Sequence, residues 1–386
     1  MGGEAYLYGL EEIDDLLAKV YHRPTPERAE KLAAMVKHAP DDPMARSGQP
    51  AIAWPLERLL TLNDDAQCVG FLQSRVEHTR SVFEFYNPKT RRMQCPLFHY
   101  GYLIRTARNL AAAFHALHKG GFVIGDVNES NILVTETALV TLVDTDSFQI
   151  PADDRIYRCP VGKPEFTPPE LQGVRFREVQ RKPEHDAFGL AVLIFLLLME
   201  GTHPFAGRLV SGGEPASLGD RIAANYYIYQ IGRQIPYEPM PNAPPIGLLQ
   251  PELRAYMRQC FEAGHANPAL RPTAEQWQQA LDLAERNLRT CKVNTQHLYR
   301  ASFGACPWCE RMKQLAGWDP FPSREAVKQG THQRVMAPVE EEAPPPPPST
   351  ALPVPPPETA PVAAPDSVME PPAEHAATVN AEAGPS

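Results

Sequence analysis

The sequence predicts an α+β protein in which a small β-rich part precedes a larger helical part. Residues 1–76 contain short runs of β-branched and apolar residues and only one clear helix start. Residues 77–290 contain apolar residues at helical spacing and few strand-like runs. The chain has 386 residues, of which 43% are apolar, so two domains with buried cores are expected.

In the β-rich part, Leu16–Tyr21 is predicted to be a strand that carries a lysine, Lys19. Thr25 followed by Pro26 is a typical helix start, because threonine caps free backbone N–H groups and proline fits the first turn. That helix is expected to end near Val36. Two weaker strand predictions follow, at Ala51–Leu60 and Cys68–Leu72.

The helical part has two amphipathic stripes and one continuous apolar run. The first stripe predicts a helix that ends at Gly120, and it consists of Leu103, Ala107, Leu110, Phe114 and Leu117. The second stripe predicts a helix near Trp277–Leu288. The apolar run Phe188–Met199 is too short to cross a bilayer, so a buried helix and no membrane segment are expected. Short β runs are predicted at Phe122–Ile124 and Leu139–Val143.

The charge and the cysteine content limit the class of protein. The formal net charge is −9, but residues 335–386 hold eight of the 46 acidic residues and no lysine or arginine. The rest of the chain is therefore close to neutral, which does not support a nucleic-acid-binding surface. Seven cysteines do not indicate a disulfide framework, and no signal sequence follows Met1. A cytoplasmic location is expected.

Three oxygen-bearing side chains have a spacing that suits phosphoryl transfer. Asp126 and Asn131 lie five residues apart in a predicted loop, and Asp144 follows 13 residues later, after a β run. One carboxylate can orient a hydroxyl nucleophile, while the amide and the second carboxylate offer hard oxygen ligands for Mg²⁺ with ATP phosphates. The Asp–Asn pair alone is a weak signal, and the third residue strengthens it.

These residues give the chain a resemblance to the protein-kinase superfamily, in particular to Ser/Thr kinases. The resemblance implies that Asp126 is the catalytic-loop aspartate, which orients the hydroxyl and accepts its proton. Asn131 and Asp144 are implied to hold Mg²⁺. Lys19 is similar to the strand lysine that holds the α- and β-phosphates of ATP.

The same resemblance implies the other parts of the ATP site. Glu30 resembles the helix glutamate that positions the strand lysine, and Glu27 is the alternative. Gly2 and Gly3 resemble the latter half of a glycine-rich loop, whose amides cradle phosphates. The chain then begins inside that loop, without the family's first strand. The adenine pocket is expected near Leu72–Val76.

Three further matches are structural. The run Thr167–Glu170 resembles the Ala-Pro-Glu motif that closes the activation segment, here residues Asp144–Glu170. Asp186 opens a pattern similar to the central helix of the family's larger lobe. Arg271 lies in a loop similar to the one whose arginine pairs with that motif's glutamate, so a buried Glu170–Arg271 ion pair is predicted.

The chain departs from the family's pattern at three positions. Gly125 replaces an arginine that often reads a phosphate on the activation segment, so switching by phosphorylation there is not expected. Asn128, kept as a candidate catalytic residue, replaces a lysine that adds positive charge at the transferring phosphoryl group. That change is expected to cost about 10²-fold in rate unless another group replaces the lysine. Asp146 replaces a glycine, and a second metal ligand and a solvated loop residue are equally open.

Cys291, His297, Cys306 and Cys309 have the spacing of a zinc site. Three thiolates and one imidazole form a common closed tetrahedral site, which has no open position for catalysis. We therefore predict a structural Zn²⁺ and a zinc-stapled subdomain over residues 291–318. A redox Cys-x-x-Cys pair and unliganded thiols are the alternatives. This extension resembles that of a bacterial subset of kinase-like proteins with a zinc-ribbon-like or helix-hairpin-helix C-terminal region.

Residues 335–386 form a tail that is predicted to be disordered, because they hold 15 of the 42 prolines and few large apolar residues. Runs at Pro344–Pro348 and Pro353–Pro357 favour polyproline II. The tail is expected to be a spacer, and binding to a proline-recognising partner is the alternative.

Together these features predict a two-lobed protein-kinase-like fold, with an N-lobe at residues 1–76 and a helical C-lobe at residues 77–290. The predicted activity is ATP-dependent phosphorylation of Ser or Thr hydroxyls, and the sequence does not identify the protein substrates. Two alternatives remain open. One is a pseudokinase that acts as a nucleotide-binding scaffold. The other is a small-molecule kinase, because the loops at Asp126 and Asp144 also resemble those of aminoglycoside and choline kinases.

Overall fold

The computed structural model describes residues 4–63, 65–153 and 155–333. Within these residues the chain forms several small sheets and eleven α-helices, which agrees with the predicted α+β class. Gly2, Gly3 and the proline-rich tail lie outside the described residues. No helix in the described part of the chain has both the length and the apolar character that crossing a membrane requires.

The largest sheet is antiparallel and has four strands in the order β1-β2-β4-β3. Its strands are β1 (Ala5–Leu10), β2 (Ile13–Tyr21), β3 (Glu57–Leu60) and β4 (Cys68–Ser74). Helix α1 (Pro26–Lys37) contacts β3 and β4. The helix begins where the sequence predicts, because Thr25 Oγ1 accepts a hydrogen bond from the Arg28 N–H at 3.2 Å. Lys19 lies in the middle of β2, opposite Phe71 on β4.

Two strand predictions need correction. Only Glu57–Leu60 of the predicted run Ala51–Leu60 is a strand; Ile52 forms a single bridge with Leu142. Pro50 and Pro55 stand on either side of residues 51–54. Because proline has no N–H to donate to a neighbouring strand, these residues do not extend the strand. The predicted strand Phe122–Ile124 is also reduced to one bridge, between Val123 and Gln149.

The helical part is built around three long helices. These are α4 (Tyr100–Lys119), α5 (Pro183–Leu198) and α9 (Ala274–Arg286), and α4 contacts both of the others. The predicted stripes lie on α4 and α9, except that Leu288 belongs to a strand because the helix ends at Arg286. The predicted buried helix is confirmed, since α5 is buried from Asp186 to Leu198. The shorter helices of this part are α2 (Val82–Tyr86), α3 (Pro88–Gln94), α6 (Leu218–Ala223), α7 (Pro251–Arg258) and α8 (Gly264–Ala266).

Short strands connect these helices. A three-stranded sheet contains β5 (Thr79–Ser81), β6 (Ile132–Thr135) and β7 (Val140–Leu142), and β7 lies within the predicted run Leu139–Val143. Two two-stranded pairs follow, β8 (Ile150–Pro151) with β9 (Ile156–Tyr157) and β10 (Arg208–Leu209) with β11 (Tyr237–Glu238). The loop from Gly125 to Asn131 leads directly into β6, and Asp144 follows shortly after β7. The two paired strands therefore hold Asn131 and Asp144 at the same end of this sheet.

Residues 288–333 form a C-terminal module that packs against the helical part. It contains β12 (Leu288–Thr290), β13 (Leu298–Arg300), α10 (Pro307–Gln314) and α11 (Arg324–Lys328). Arg311 of α10 pairs with Glu200 at 2.6 Å, and both side chains are more than 90% buried. Arg91 of α3 is buried and donates to Phe85 O at 2.7 Å and to Pro320 O at 3.3 Å. The module therefore extends beyond residue 318, the end predicted from the cysteine spacing.

His203, which follows α5, is expected to make the stability of the protein depend on pH. The ring is buried, its Nε2 lies 3.0 Å from Glu165 O, and its Nδ1 accepts from the Phe205 N–H at 3.2 Å. Burial lowers the pKa of His203 to about 4, and Arg221 acts in the same direction. Because the folded-state pKa is below the unfolded value, this contribution is complete above pH 6.5 and is lost as the pH falls towards 4.

The measurement is urea unfolding of the wild type and His203→Gln at pH 7.5 and pH 5. The wild type should lose about 2 kcal/mol more stability than the variant between these two pH values. Other histidines are present in both proteins and cancel in the comparison. Equal losses in the two proteins would show that His203 does not carry this dependence.

Candidate active site

Asp186, near the start of α5, fixes the backbone of the loop that carries Asp126. The buried Asp186 carboxylate accepts hydrogen bonds from the Ile124 N–H at 2.7 Å and the Gly125 N–H at 2.9 Å. His118, at the end of α4, lies 3.0 Å from the same carboxylate. Gly125 has φ +74°, a backbone conformation that side chains disfavour, and this lets the chain turn sharply before Asp126. Asp186 therefore has a structural role in this arrangement.

Asp126 and Asn131 face each other across the loop. Asn131 Nδ2 lies 3.3 Å from Asp126 Oδ2 and 3.2 Å from Asp126 O. The other carboxylate oxygen, Asp126 Oδ1, is buried and has no hydrogen-bond partner among the described residues. Burial raises the pKa of Asp126, although hydrogen bonds from Asn128 and Asn131 act against it. The loop thus holds a desolvated carboxylate with one buried oxygen that has no partner among the described residues.

The Asn128 side chain makes its hydrogen bonds to the backbone of its own loop. Its side chain is buried, donates to Asp126 O at 3.2 Å and accepts from the Ser130 N–H at 2.9 Å. The amide therefore caps the short 3₁₀ turn Glu129–Asn131. It brings no positive charge to the site.

Asp144 lies beside Asn131 because the Val143 N–H donates to Asn131 O at 3.0 Å. Its backbone has φ +59°, a left-handed conformation that is uncommon outside glycine. Lys19 Nζ lies 2.5 Å from Asp144 Oδ1 and 2.5 Å from Asp146 Oδ1. Burial lowers the pKa of Lys19, but the two carboxylates outweigh it and the net pKa is raised. The structure therefore brings Lys19 of the sheet to the carboxylates of the helical part.

Asp146 is the better buried of the two lysine partners. Its side chain is 12% exposed, whereas that of Asp144 is 48% exposed. Tyr21 donates its hydroxyl to Asp146 Oδ2 at 2.9 Å, and burial raises the pKa of Tyr21, which keeps it a donor. From the sequence, the role of Asp146 could be that of a second metal ligand or that of a solvated loop residue. In the structure it anchors Lys19.

The predicted contact between Glu30 and Lys19 is not present. The Glu30 carboxylate lies 3.1 Å from Arg155 and 3.4 Å from the Tyr157 hydroxyl. One residue later on α1, Lys31 points into the site and donates to Asp146 O at 2.6 Å. Successive helix residues are rotated by about 100°, which is enough to turn Glu30 away from Lys19 while Lys31 faces the site. Burial lowers the pKa of Lys31 to about 8.

Glu170 and Arg271 form the predicted ion pair. Both guanidinium nitrogens Nη1 and Nη2 lie 2.7 Å from the two carboxylate oxygens, so the pair is bidentate. Arg271 also donates to Gly264 O and to Glu184 O, each at 2.9 Å. The Arg271 side chain is fully buried and that of Glu170 is 28% exposed. This pair fixes the end of the activation segment to the helical part.

Sequence reasoning missed two cations that lie against the loop that carries Asp126. Arg181 is buried, stacks on Phe176 at 4.0 Å and donates to Val161 O. Lys163 Nζ lies 3.1 Å from Ser130 Oγ and 3.3 Å from Glu129 Oε1. No motif spacing marks either residue, because both reach the loop from the activation segment or the segment that follows it.

The ligand atoms of Cys291, His297, Cys306 and Cys309 all lie within 4.8 Å of one another. The Sγ atoms of Cys291 and Cys309 are 3.7 Å apart, and His297 Nδ1 lies 3.6 Å from the Sγ atoms of Cys306 and Cys309. With Zn–S bonds of about 2.3 Å and a Zn–N bond of about 2.0 Å, a tetrahedron needs separations of about 3.6–3.8 Å. The donor set and its spacing therefore fit a tetrahedral zinc ion.

Asp319, which the sequence analysis missed, orients the histidine of this cluster. Its carboxylate oxygens lie 2.9 and 3.0 Å from His297 Nε2, which leaves Nδ1 to face the three sulfurs. A carboxylate behind a histidine ligand is the usual way to fix the ring's tautomer and orientation. Asp319 O also accepts from Arg92 of α3, and this links the cluster to the helical part.

Comparison with known proteins gives matches to kinases. Two curated relatives, both named protein kinase YegI, from Escherichia coli O157:H7 and from strain K12, are 36% identical over 312 residues. The match covers 80% of this chain and 47% of each relative, so the chain spans about half the length of these proteins.

A shorter match covers 114 residues of NUAK family SNF1-like kinase 1 from Mus musculus and Homo sapiens. The identity is 31%, over 28% of this chain and 17% of the relative. No family model matches the chain. The matches to kinases support a relationship with the protein-kinase superfamily.

Proposed function

We propose that the chain is a Mg-ATP-dependent protein kinase that phosphorylates Ser or Thr hydroxyls. The observation that carries this proposal is the meeting of Lys19 and Asp144, which are 125 residues apart, beside the loop of Asp126 and Asn131. A lysine, two carboxylates and an amide in one place are the parts that positioning and neutralising a triphosphate require. The four-stranded sheet and the helical part then act as the two lobes on either side of the nucleotide.

The residues present fit a magnesium ion. Asn131 and Asp144 offer neighbouring oxygen donors of the hard type that Mg²⁺ prefers, and half of the Asp144 side chain is exposed. These two residues would hold the ion, which supplies positive charge to the phosphates when bound. Lys19 would exchange Asp144 for phosphate oxygens, while Asp146, which also accepts from the Tyr21 hydroxyl, keeps the lysine close to the site.

Asp126 is proposed to act on the substrate. Its buried Oδ1 has no partner among the described residues and would accept a hydrogen bond from a Ser or Thr hydroxyl that enters the site, while Asn131 holds the other oxygen. The hydroxyl oxygen forms the new bond to the γ-phosphorus, the bond from that phosphorus to the β–γ bridging oxygen breaks, and Asp126 takes the hydroxyl proton. Asp186 acts only by fixing the backbone that presents Asp126.

The test is transfer of labelled γ-phosphate from Mg-ATP to the full chain itself and to a generic basic protein. Asp126→Ala is expected to reduce transfer by about 10²–10⁴-fold, the range for loss of a general base. The matched control is Asp153→Ala, because Asp153 is 82% exposed and pairs only with Lys37 among the described residues. This variant should keep wild-type activity.

Two outcomes would contradict the proposed function. If the wild type transfers no label but binds nucleotide, the pseudokinase alternative is supported. If amino-alcohols offered in the same assay are labelled and the basic protein is not, the small-molecule kinase alternative is supported. Label that persists in Asp126→Ala would remove Asp126 from its proposed role.

We also propose that the cluster of Cys291, His297, Cys306 and Cys309 binds a structural zinc ion. All four ligand positions are filled by protein atoms, which leaves none for substrate. The strands of the C-terminal module have three residues each and its longest helix has eight. A bound metal ion would therefore stabilise the fold of this module.

A further inference from the structure

The catalytic loop has no cation of its own next to Asp126. Asn128 stands at the position where the resemblance leads one to expect a lysine, and its amide is buried in the cap of the Glu129–Asn131 turn. A γ-phosphoryl group that is being transferred carries negative charge on its three equatorial oxygens. The proposed kinase therefore needs positive charge at this place from another part of the chain.

Lys163 of the activation segment contacts the same loop at Glu129 and Ser130. Its Nζ lies 3.1 Å from Ser130 Oγ and 3.3 Å from Glu129 Oε1, and its side chain is 41% exposed. Its backbone is fixed, because Lys163 O accepts from the Thr167 hydroxyl at 2.7 Å and from the Phe166 N–H at 3.1 Å. A fixed backbone with a long, partly solvated side chain allows the ammonium group to move to a nearby anion.

The other cation at this loop is already committed to the protein. Arg181 is buried, stacks on Phe176 and donates to Val161 O. A Cβ on Gly125 would lie 2.8 Å from Arg181 Nη1, so the guanidinium fills the space behind Gly125. Arg181 thus packs against the loop at Gly125, whereas Lys163 contacts the exposed Ser130.

We propose that Lys163 replaces the missing catalytic-loop lysine and donates a hydrogen bond to the γ-phosphoryl group during transfer. This inference rests on the proposed kinase function. Lys163 leaves the Glu129 carboxylate for a phosphoryl oxygen and keeps its proton throughout, while the substrate's hydroxyl proton goes to Asp126. The sequence change at position 128 is then compensated by a lysine 35 residues later.

The test compares Lys163→Met, which removes the charge but keeps most of the stem, with Lys163→Arg, which keeps a cation. The control is Lys313→Met, because Lys313 is 73% exposed and lies in the C-terminal module. For each protein we would measure kcat, the KM for ATP and the melting temperature. Lys163→Met should lower kcat by about 10²-fold, the effect of losing one donor to the transition state, and change the KM for ATP by less than about threefold.

Lys163→Arg should stay within about tenfold of the wild type, and Lys313→Met should be unchanged. A purely structural role would lower the melting temperature and would not give a selective loss of kcat that arginine rescues. The proposal is overturned if Lys163→Met keeps kcat within about threefold, or if Lys163→Arg falls as far as Lys163→Met. A wild type without Asp126-dependent transfer would instead refute the proposed function, and the role of Lys163 with it.

Discussion

Arg271→Ala is expected to lower the free energy of unfolding by about 3–5 kcal/mol, because it breaks a largely buried ion pair on one side only. The change strands the Glu170 carboxylate and also removes donors from Gly264 O and Glu184 O. The pKa of Glu170 is lowered in the folded protein: burial acts to raise it, but the bonds to Arg271 prevail. Urea unfolding at pH 7.5 would measure the loss.

The control is Arg286→Ala, which removes an arginine of similar size from the surface. Arg286 pairs with Asp282 at 2.7 Å, but its side chain is 75% exposed, so a cost below about 1 kcal/mol is expected. A loss of less than about 1 kcal/mol for Arg271→Ala as well would show that the pair does not hold the activation segment in place.

Removal of zinc is expected to unfold the C-terminal module. Protein purified without chelator should contain one zinc ion per chain, and a strong chelator should lower the melting temperature by at least about 5 °C, because metal binding and folding are coupled in such sites. Cys309→Ser should release the ion in the same way. The module contacts the helical part through Arg311, Arg91 and Arg92, so the loss should spread beyond the module.

Asp319→Asn provides a graded comparison. It should weaken zinc binding by about 10–100-fold, since the carboxylate behind His297 orients the ring and is not itself a ligand. The chelator should have no further effect on Cys309→Ser. Metal analysis that finds no zinc in the untreated protein would contradict the zinc proposal.

The sequence predicts the local elements well where a single pattern determines them. The start of α1 follows from Thr25 and Pro26, and the buried helix α5 follows from an unbroken apolar run. The convergence of the four zinc-type ligands follows from their short spacing along the chain. The Glu170–Arg271 pair could be predicted only through the family resemblance, because 101 residues separate its members.

Only the tertiary structure decided which charges meet at the candidate active site. Residue type and spacing identified Asp126, Asn131 and Asp144 as candidates, and the family resemblance added Lys19. Neither could select Asp146 over Glu30 as the anchor of Lys19. That choice depends on the rotation of α1 against the sheet, because one residue position turns the side chain by about 100° around the helix axis.

The same holds for Lys163, which reaches Ser130 from a different segment of the chain. Sequence patterns identify residues that are regularly spaced. They do not predict a contact between a side chain and a loop 33 residues away along the chain. The amino-acid sequence by itself thus determined the fold class, the candidate catalytic loop and the ligand types of the proposed zinc site. The packing of α1 and the activation segment against that loop decided which lysines and carboxylates are close enough to act together, because electrostatic interactions depend on distance and burial in the folded chain.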